Sequence, residues 1–243
     1  MKERYARNLS LPGWTPETQQ RLAESGVLVV GAGGLGSAAL FYLAAAGVGR
    51  LAIIEDDRVE ITNLQRQVLY GTDDLGKAKA DVAARRLRAL NPQVEMALHR
   101  TRLEADNAAR LINGYDLVLD CTDNLETRRL LNQTCLKLSR PWVHGAVSEY
   151  YGHVTTLLPS GPCWHCLFGA ETAGNPTPPP AGILGPVAGM IGCLQATEAL
   201  KYLAGIGRLL VGRLLVWDAV PATWDEFTYT KNPDCPACRS GTG

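Results

Sequence analysis

The chain has 243 residues, 46% of them hydrophobic, which is enough to bury the core of one large α/β domain and too apolar for a disordered segment. Lys plus Arg and Asp plus Glu number 24 each, so no global field draws the chain to nucleic acid or to an anionic membrane. The start "MKERYARNLSLPGW" lacks the apolar core of a signal peptide, and the apolar run 183–204 is broken by Gln195, Glu198 and Lys201, so the expectation is a soluble cytoplasmic protein.

In chain order, residues 26–57 read as strand, Gly-rich turn, helix and strand. Val27 to Val30 form a short apolar run suited to a strand buried on both faces. Ser37 to Ala46 supply a helix, Gly47 and Gly49 end it, and Leu51 to Ile54 return as a parallel strand, which makes one βαβ unit. A helix over 77–90, a strand over 94–98 and a helix near 105–113 follow. The stretch 115–124 then gives a strand whose carboxyl end carries Asp120, Asp123 and Asn124. A helix over 126–138 and a strand over 142–146 complete an alternation that predicts a doubly wound sheet, with ligands at the carboxyl ends of its strands. After about residue 147 the pattern changes to antiparallel strands around one long helix. The Pro- and Gly-rich stretch 171–182 reads as a surface loop. No repeat or linker divides the chain, so the expectation is a single domain over 1–243, with a nucleotide-binding part at 1–147 and a second part at 148–243.

Gly31, Gly33, Gly34 and Gly36 fit G-x-G-x-x-G between a strand and a helix, where a pyrophosphate or triphosphate approaches a helix N-terminus. Glu55 ends the next strand, where a carboxylate accepts from ribose hydroxyls. Taken alone, the fingerprint favours NAD or FAD over ATP. The stretch "TNLQRQVLY" at 62–70 changes the balance. If it starts a short helix, Asn63 and Arg66 lie one turn apart and face one pocket. A phosphate-transferring site needs a fixed Arg fork to stabilise the charge gained on the reacting phosphorus. Lys79 supplies a second cation from the next helix start, and Asp123 an oxygen ligand for magnesium. Singly, Arg66 and Lys79 also read as solvated charges, and Asp123 as the N-cap of the following helix. Together they converge.

Seven cysteines include two C-x-x-C pairs, Cys163 with Cys166 and Cys235 with Cys238, while Cys121, Cys135 and Cys193 lie in apolar segments. Two pairs flanking one subregion predict a structural zinc site with four cysteine ligands, with His165 a bystander. Gly185, Gly189 and Gly192 give the long helix a flat face for close packing.

The residues that carry a resemblance are "RYARNLSLPGW" (4–14), "VGAGGLGSAALFYLAAAGVG" (30–49), "EDDRVEITNLQRQVLY" (55–70), "GKAKA" (76–80), "LDCTDN" (119–124), "PCWHC" (162–166), "AGILGPVAGMIGCLQATEALKYL" (181–203) and "NPDCPAC" (232–238). In these the chain resembles the ThiF/HesA/MoeB family of ubiquitin-activating-enzyme-like adenylyltransferases, over nearly its whole length. The resemblance implies an α/β fold: a Rossmann-like, doubly wound, mostly parallel sheet continuing into a C-terminal subregion with antiparallel strands and zinc. It implies ATP-dependent adenylation of the C-terminal Gly-Gly carboxylate of a small ubiquitin-like sulfur carrier protein, with release of pyrophosphate. A cysteine desulfurase or sulfurtransferase then supplies the sulfur. Carried over residue by residue, it implies that Gly34 and its neighbours approach the phosphates and that Glu55 binds ribose beside Asp57. Asn63, Arg66 and Lys79 bind phosphates and Asp123 holds magnesium. Arg7 reaches the triphosphate from the partner subunit of a homodimer.

The sequence departs from the family's pattern in two places. Glu55 stands where Asp is usual. Pro178, Pro179 and Pro180 occupy the stretch where several relatives carry a cysteine, which puts a covalent enzyme–carrier intermediate in doubt. A nicotinamide-dependent oxidoreductase leaves Arg66, Lys79, Asp123 and the cysteine pairs idle. The intact Arg66, Lys79 and Asp123 set argues against a non-catalytic carrier-binding scaffold, and the neutral chain argues against a relative that adenylates a tRNA base.

Overall fold

Every residue of the first strand, β1 (Gly26–Val30), is buried, as a Val- and Leu-rich run without polar alternation requires of a strand covered on both faces. The computed structural model describes residues 3–172 and 182–239, and of 170–172 only the backbone. Ahead of β1 lie α1 (Ala6–Leu9) and α2 (Pro16–Glu24). The sequence reading missed α2, although the Thr15 side chain caps it at Thr18 N and Pro16 opens it. Next come α3 (Gly34–Ala46), β2 (Arg50–Ile54), two 3-10 turns at Ile61–Asn63 and Thr72–Asp74, α4 (Lys79–Leu90) and β3 (Glu95–His99). They are followed by α5 (Ala108–Ile112), β4 (Leu117–Asp120), α6 (Leu125–Lys137), β5 (Trp142–Ser148), β6 (Tyr151–Leu157) and α7 (Trp164–Thr172). The described chain closes with α8 (Gly185–Ala204), β7 (Arg213–Asp218) and β8 (Thr223–Thr228). The predicted elements are all present, with α5 shorter than expected.

The eight strands form one sheet in the order β3-β2-β1-β4-β5-β6-β7-β8. β1 to β5 pair in parallel and β6 to β8 are antiparallel. Alternate residues of one strand feed two cores. Val27 and Val29 join the side chains of α3, α4 and α8 on one face, whereas Leu28 and Val30 join those of α5 and α6 on the other. Each such side chain contributes roughly 1.5–3 kcal/mol by leaving water. α3 and α8 pack closely because Gly192 has no side chain: a Cβ there would collide with the carbonyl oxygen of Leu35. The flat face expected of α8 is therefore used, but not evenly, since a Cβ on Gly189 would meet nothing within 4 Å.

Gln195 and Glu198, which break the apolar run of α8, are buried and satisfied. Gln195 Nε2 donates to the carbonyls of Asp120 (2.6 Å) and Val143 (3.3 Å), tying α8 to β4 and β5. Glu198 accepts from Thr156 Oγ1 and from the Leu210 amide at 2.7 Å. No helix among the described residues is long and apolar enough to cross a membrane. Of the predicted loop 171–182, α7 takes the first two residues, and 173–181 lie outside the described residues.

Candidate functional site

The strand order reverses at β1, whose neighbours are β2 and β4, so the chain leaves β1 towards one side of the sheet and β4 towards the other. Such a switch point opens a crevice at the carboxyl ends of the strands. Val30 is in register with both Ile54 and Asp120, which sets Gly31, Glu55 and Cys121 side by side at that crevice. Gly31 has φ +91°, and a Cβ there would lie 2.7 Å from the Cys121 carbonyl oxygen, so only glycine fits the turn. A Cβ on Gly36 would collide with the Gly31 carbonyl oxygen. α3 starts at Gly34 and directs its free amides into the crevice.

Glu55 is the side chain that braces this turn. Its Oε2 accepts from Ala32 N at 2.8 Å and its Oε1 from Asp57 N at 3.0 Å. The Tyr70 hydroxyl holds the next peptide of the turn, donating to the Ala32 carbonyl at 2.8 Å. Burial, with the nearby Glu55 and Asp57 charges, pushes the Tyr70 hydroxyl far above its ordinary range and keeps it a donor. Tyr70 closes the "TNLQRQVLY" stretch, and its contact with the turn was not legible from spacing.

That stretch is a single 3-10 turn followed by turns, not a short α-helix. The two residues still lie one turn apart along the backbone, with the Arg66 amide on the Asn63 carbonyl at 3.1 Å. Asn63 is buried and Arg66 half-buried, with Arg66 Nη1 on the Thr62 carbonyl at 3.1 Å. Arg66 Cγ lies 3.6 Å from where a Cβ on Gly34 would stand, so the guanidinium stem flanks the Gly-rich turn. Lys79 begins α4 and is buried, its Nζ donating to Asp57 Oδ2 at 3.0 Å. It is therefore not a solvated surface charge.

The helix after β4 is capped by Asn124, whose Oδ1 accepts from Thr127 N at 2.9 Å. Asp123 is therefore not the cap. It is exposed and makes no hydrogen bond or ion pair among the described residues. A free carboxylate beyond the carboxyl end of a central strand is a candidate oxygen ligand for magnesium, which keeps several waters and takes one or two carboxylates with substrate phosphates. The other acidic group at the rim is already engaged: Glu55 by backbone, Asp56 by Arg102 at 3.0 Å and Asp57 by Lys79.

Arg7 is not brought to this crevice within one chain. It lies exposed in α1, two residues after Tyr5, whose ring packs against Gly47 at the far end of α3. Tyr5 also accepts from Asn91 Nδ2 at 2.9 Å, beyond the end of α4. The length of α3 alone separates the two ends by on the order of 20 Å.

The four cysteines of the two C-x-x-C pairs meet between the start of α7 and the turn at 232–238. Their Sγ separations are 3.8 Å (Cys163–Cys166), 3.7 Å (Cys163–Cys235) and 3.4 Å (Cys166–Cys238). Thiolates tetrahedral about zinc at 2.3 Å stand about 3.8 Å apart, whereas disulfide sulfurs stand about 2 Å apart, so the cluster fits a metal ion and not two disulfides. Asn132 Nδ2 approaches Cys163 Sγ at 3.8 Å and the Asn232 amide donates to Cys166 Sγ at 3.4 Å, as the outer partners of thiolate ligands do.

A buried network below the crevice was not anticipated. Asp120 is fully buried and its Oδ2 is 2.7 Å from His144 Nδ1, while His144 Nε2 is 3.3 Å from His153 Nε2. With Nδ1–H of His144 donating to the carboxylate, His153 supplies the proton between the two rings. Burial, with His144 and Arg128 nearby, pushes His153 down to about 3. The unfolded chain takes up that proton near pH 6.5, so this neutral histidine contributes stability above about pH 6.5 that is lost as pH falls towards 3. His153→Gln should flatten the fall in melting temperature between about pH 7 and pH 5. Parallel slopes for the two proteins would exclude His153 as its source.

Fold and crevice together define a Rossmann-like α/β unit with a four-cysteine cluster that could hold a metal ion. The chain belongs to the ThiF family, whose family model matches residues 5–237. It is 46% identical to the SAMP-activating enzyme E1 of Haloferax volcanii, over 98% of this chain and 89% of that protein. It is 45% identical to the sulfur carrier protein adenylyltransferase of Thermus thermophilus, over 97% of this chain and 90% of that protein. Against the adenylyltransferase and sulfurtransferase MOCS3 of Drosophila sechellia the identity is 42%, and the chain spans 53% of that protein's length. Among solved structures, E. coli MccB shares the fold with a TM-score of 0.86 at 22% identity, over 97% of this chain and 74% of that one.

Proposed function

We propose that this chain uses ATP to adenylate the C-terminal Gly-Gly carboxylate of a small ubiquitin-like sulfur carrier protein, releasing pyrophosphate. Three placements support the reading: the Arg66 stem flanks Gly34, the buried Lys79 ammonium sits on Asp57 just past the Glu55 that braces the Gly-rich turn, and the exposed carboxylate of Asp123 lies three residues beyond the carboxyl end of β4. The carrier carboxylate, ionised at neutral pH, attacks the α-phosphorus; a C–O–P bond forms as the bond to the β-phosphate oxygen breaks. No general base is needed. Gly33, Gly34 and the first amides of α3 cradle the phosphates, and Asn63, Arg66 and Lys79 stabilise the charge that develops there. Glu55 and Asp57 lie at the ribose side of the crevice. Asp123 would hold magnesium, which neutralises the departing pyrophosphate.

The reading requires two copies of the chain, because Arg7 stands at the wrong end of its own α3 and reaches a triphosphate only in a neighbouring subunit. The carrier would meet the part 148–243 of what we take as one domain. There β8 is an edge strand with Trp224 43% and Phe227 56% exposed, an unpaired apolar edge of the kind that partners cover. The relatives named as a SAMP-activating enzyme and as a sulfur carrier protein adenylyltransferase support the substrate class. The test is ATP–pyrophosphate exchange. It should require both magnesium and a carrier ending in Gly-Gly; exchange that needs no carrier, or a chain that binds NAD and not ATP, would defeat the reading.

No thiol of this chain is suited to displace AMP. Burial pushes the thiols of Cys121 and Cys193 up and that of Cys135 to about 12, and the other four cysteines belong to the metal cluster. The acyl-adenylate should pass to an external sulfur donor, a cysteine desulfurase or sulfurtransferase. Enzyme, ATP and carrier run on a non-reducing gel should give no enzyme–carrier adduct. A reductant-sensitive adduct would reveal a reactive cysteine.

A further inference from the structure

Asp123 is free, but both of its neighbours are fixed. On one side, Thr122 is held through all of its polar groups. Its amide and its hydroxyl donate to Asp120 Oδ1, at 3.0 and 2.6 Å, and its carbonyl accepts from Arg128 Nη2 at 2.8 Å. On the other side, the Asn124 side chain is spent on capping α6. Asp120 is itself immobilised, with His144 on its second oxygen, Arg128 Nε at 3.8 Å from that same oxygen and Gln195 on its carbonyl. Burial opposes the charge on Asp120, yet His144, Arg128 and Thr122 together hold its carboxyl below the usual carboxylate range.

A fully buried carboxylate is expensive unless its contacts are satisfied, and of the four made to Asp120, by His144, Arg128 and twice by Thr122, two fix the residue next to Asp123. We infer that Asp120 and Arg128 are positioning residues: they clamp Thr122 so that the Asp123 carboxylate is presented to the crevice before any cation or nucleotide arrives. The inference rests on the reading of Asp123 as the magnesium-binding carboxylate. Its physical content is preorganisation, since a carboxylate on a loose turn must be ordered at the moment of binding and loses affinity by that amount.

Thr122→Val removes the hydroxyl bond alone, Thr122→Ser keeps it, and Arg128→Met removes the bond to the carbonyl. Two readouts apply to each. The first is hydrogen exchange of the amides at 121–124 in the free protein, which involves no ligand. The second is the half-saturating Mn2+ concentration, followed by electron paramagnetic resonance with a non-hydrolysable ATP analogue present. Thr122→Val and Arg128→Met should speed exchange at 121–124 more than in β1 and raise the half-saturating concentration by about tenfold, with a lowered melting temperature but a protein still folded at the assay temperature; Thr122→Ser should behave as the parent. Maximal exchange activity at saturating magnesium should fall by no more than about twofold, separating positioning from chemistry. If Asp123→Ala abolishes cation binding while Thr122→Val and Arg128→Met leave both readouts unmoved, the clamp is overturned and the site stands. If Asp123→Ala itself leaves Mn2+ binding intact, the reading of the site falls and the inference with it.

Discussion

Arg66→Ala and Lys79→Ala should each lower carrier-dependent ATP–pyrophosphate exchange by about 10²-fold or more, the scale of removing one preorganised donor from a developing charge. Neither change should unfold the chain. Arg66 is half-buried, with a single bond to the Thr62 carbonyl, and Lys79 leaves behind only the exposed carboxylate of Asp57, which water can solvate. The loss should therefore appear in the rate, with melting temperatures close to the parent's. Lys79 has a further feature, because its ammonium sits on Asp57 when no nucleotide is bound. Asp57→Asn would free it, so this variant should lose far less activity than Lys79→Ala. Exchange that survives Arg66→Ala and Lys79→Ala together would remove both residues from the site.

Cys235→Ser should cost the chain its metal and much of its stability. Cys235 is fully buried and joins the C-terminal turn to the start of α7 through Cys163. No strand or helix follows β8 among the described residues, so the cluster is what fastens the 232–238 turn to the fold. Metal binding to such a site is folding free energy. A loss of several kcal/mol lowers the melting temperature by on the order of 10 °C, at about 2–4 °C per kcal/mol for a chain of this size. Elemental analysis of protein purified without chelator should find about one zinc per chain in the parent and none in Cys235→Ser. A parent without zinc, or a variant of equal melting temperature, would make the four cysteines a coincidence of packing.

The sheet was largely legible from sequence because β1, β2 and β4 carry short apolar runs, 27–30, 51–54 and 117–119, closed by Gly31, Glu55 and Asp120, and length and boundary together assign them. α2 was missed for the opposite reason. Of its residues only Leu22 is a buried hydrophobic, so it shows no apolar stripe, and its Thr15-Pro16 start was the one usable signal. In α8, Gln195 and Glu198 interrupt the apolar run, yet both are core residues: Gln195 bonds the carbonyls of Asp120 and Val143 on β4 and β5, and Glu198 the Thr156 hydroxyl on β6 and the Leu210 amide. A buried polar group is indistinguishable from an exposed one until its partners are in place. The same limit hid Asp120, His144 and His153, which lie on three different strands and share no spacing. Arg66, Lys79 and Asp123 are proposed as a set because each follows a boundary that the sequence shows. The bracing of the Gly-rich turn by Glu55 and Tyr70 was not, since it depends on how far two side chains reach.

The central claim is most directly tested by incubating the chain with ATP, magnesium and a purified carrier ending in Gly-Gly, quenching in acid and measuring the intact mass of the carrier. The account predicts a carrier species heavier by one adenylyl group, dependent on ATP and absent when the terminal glycine is removed. A carrier that keeps its mass while ATP is consumed, or one that gains the adenylyl group without its terminal glycine, would contradict it.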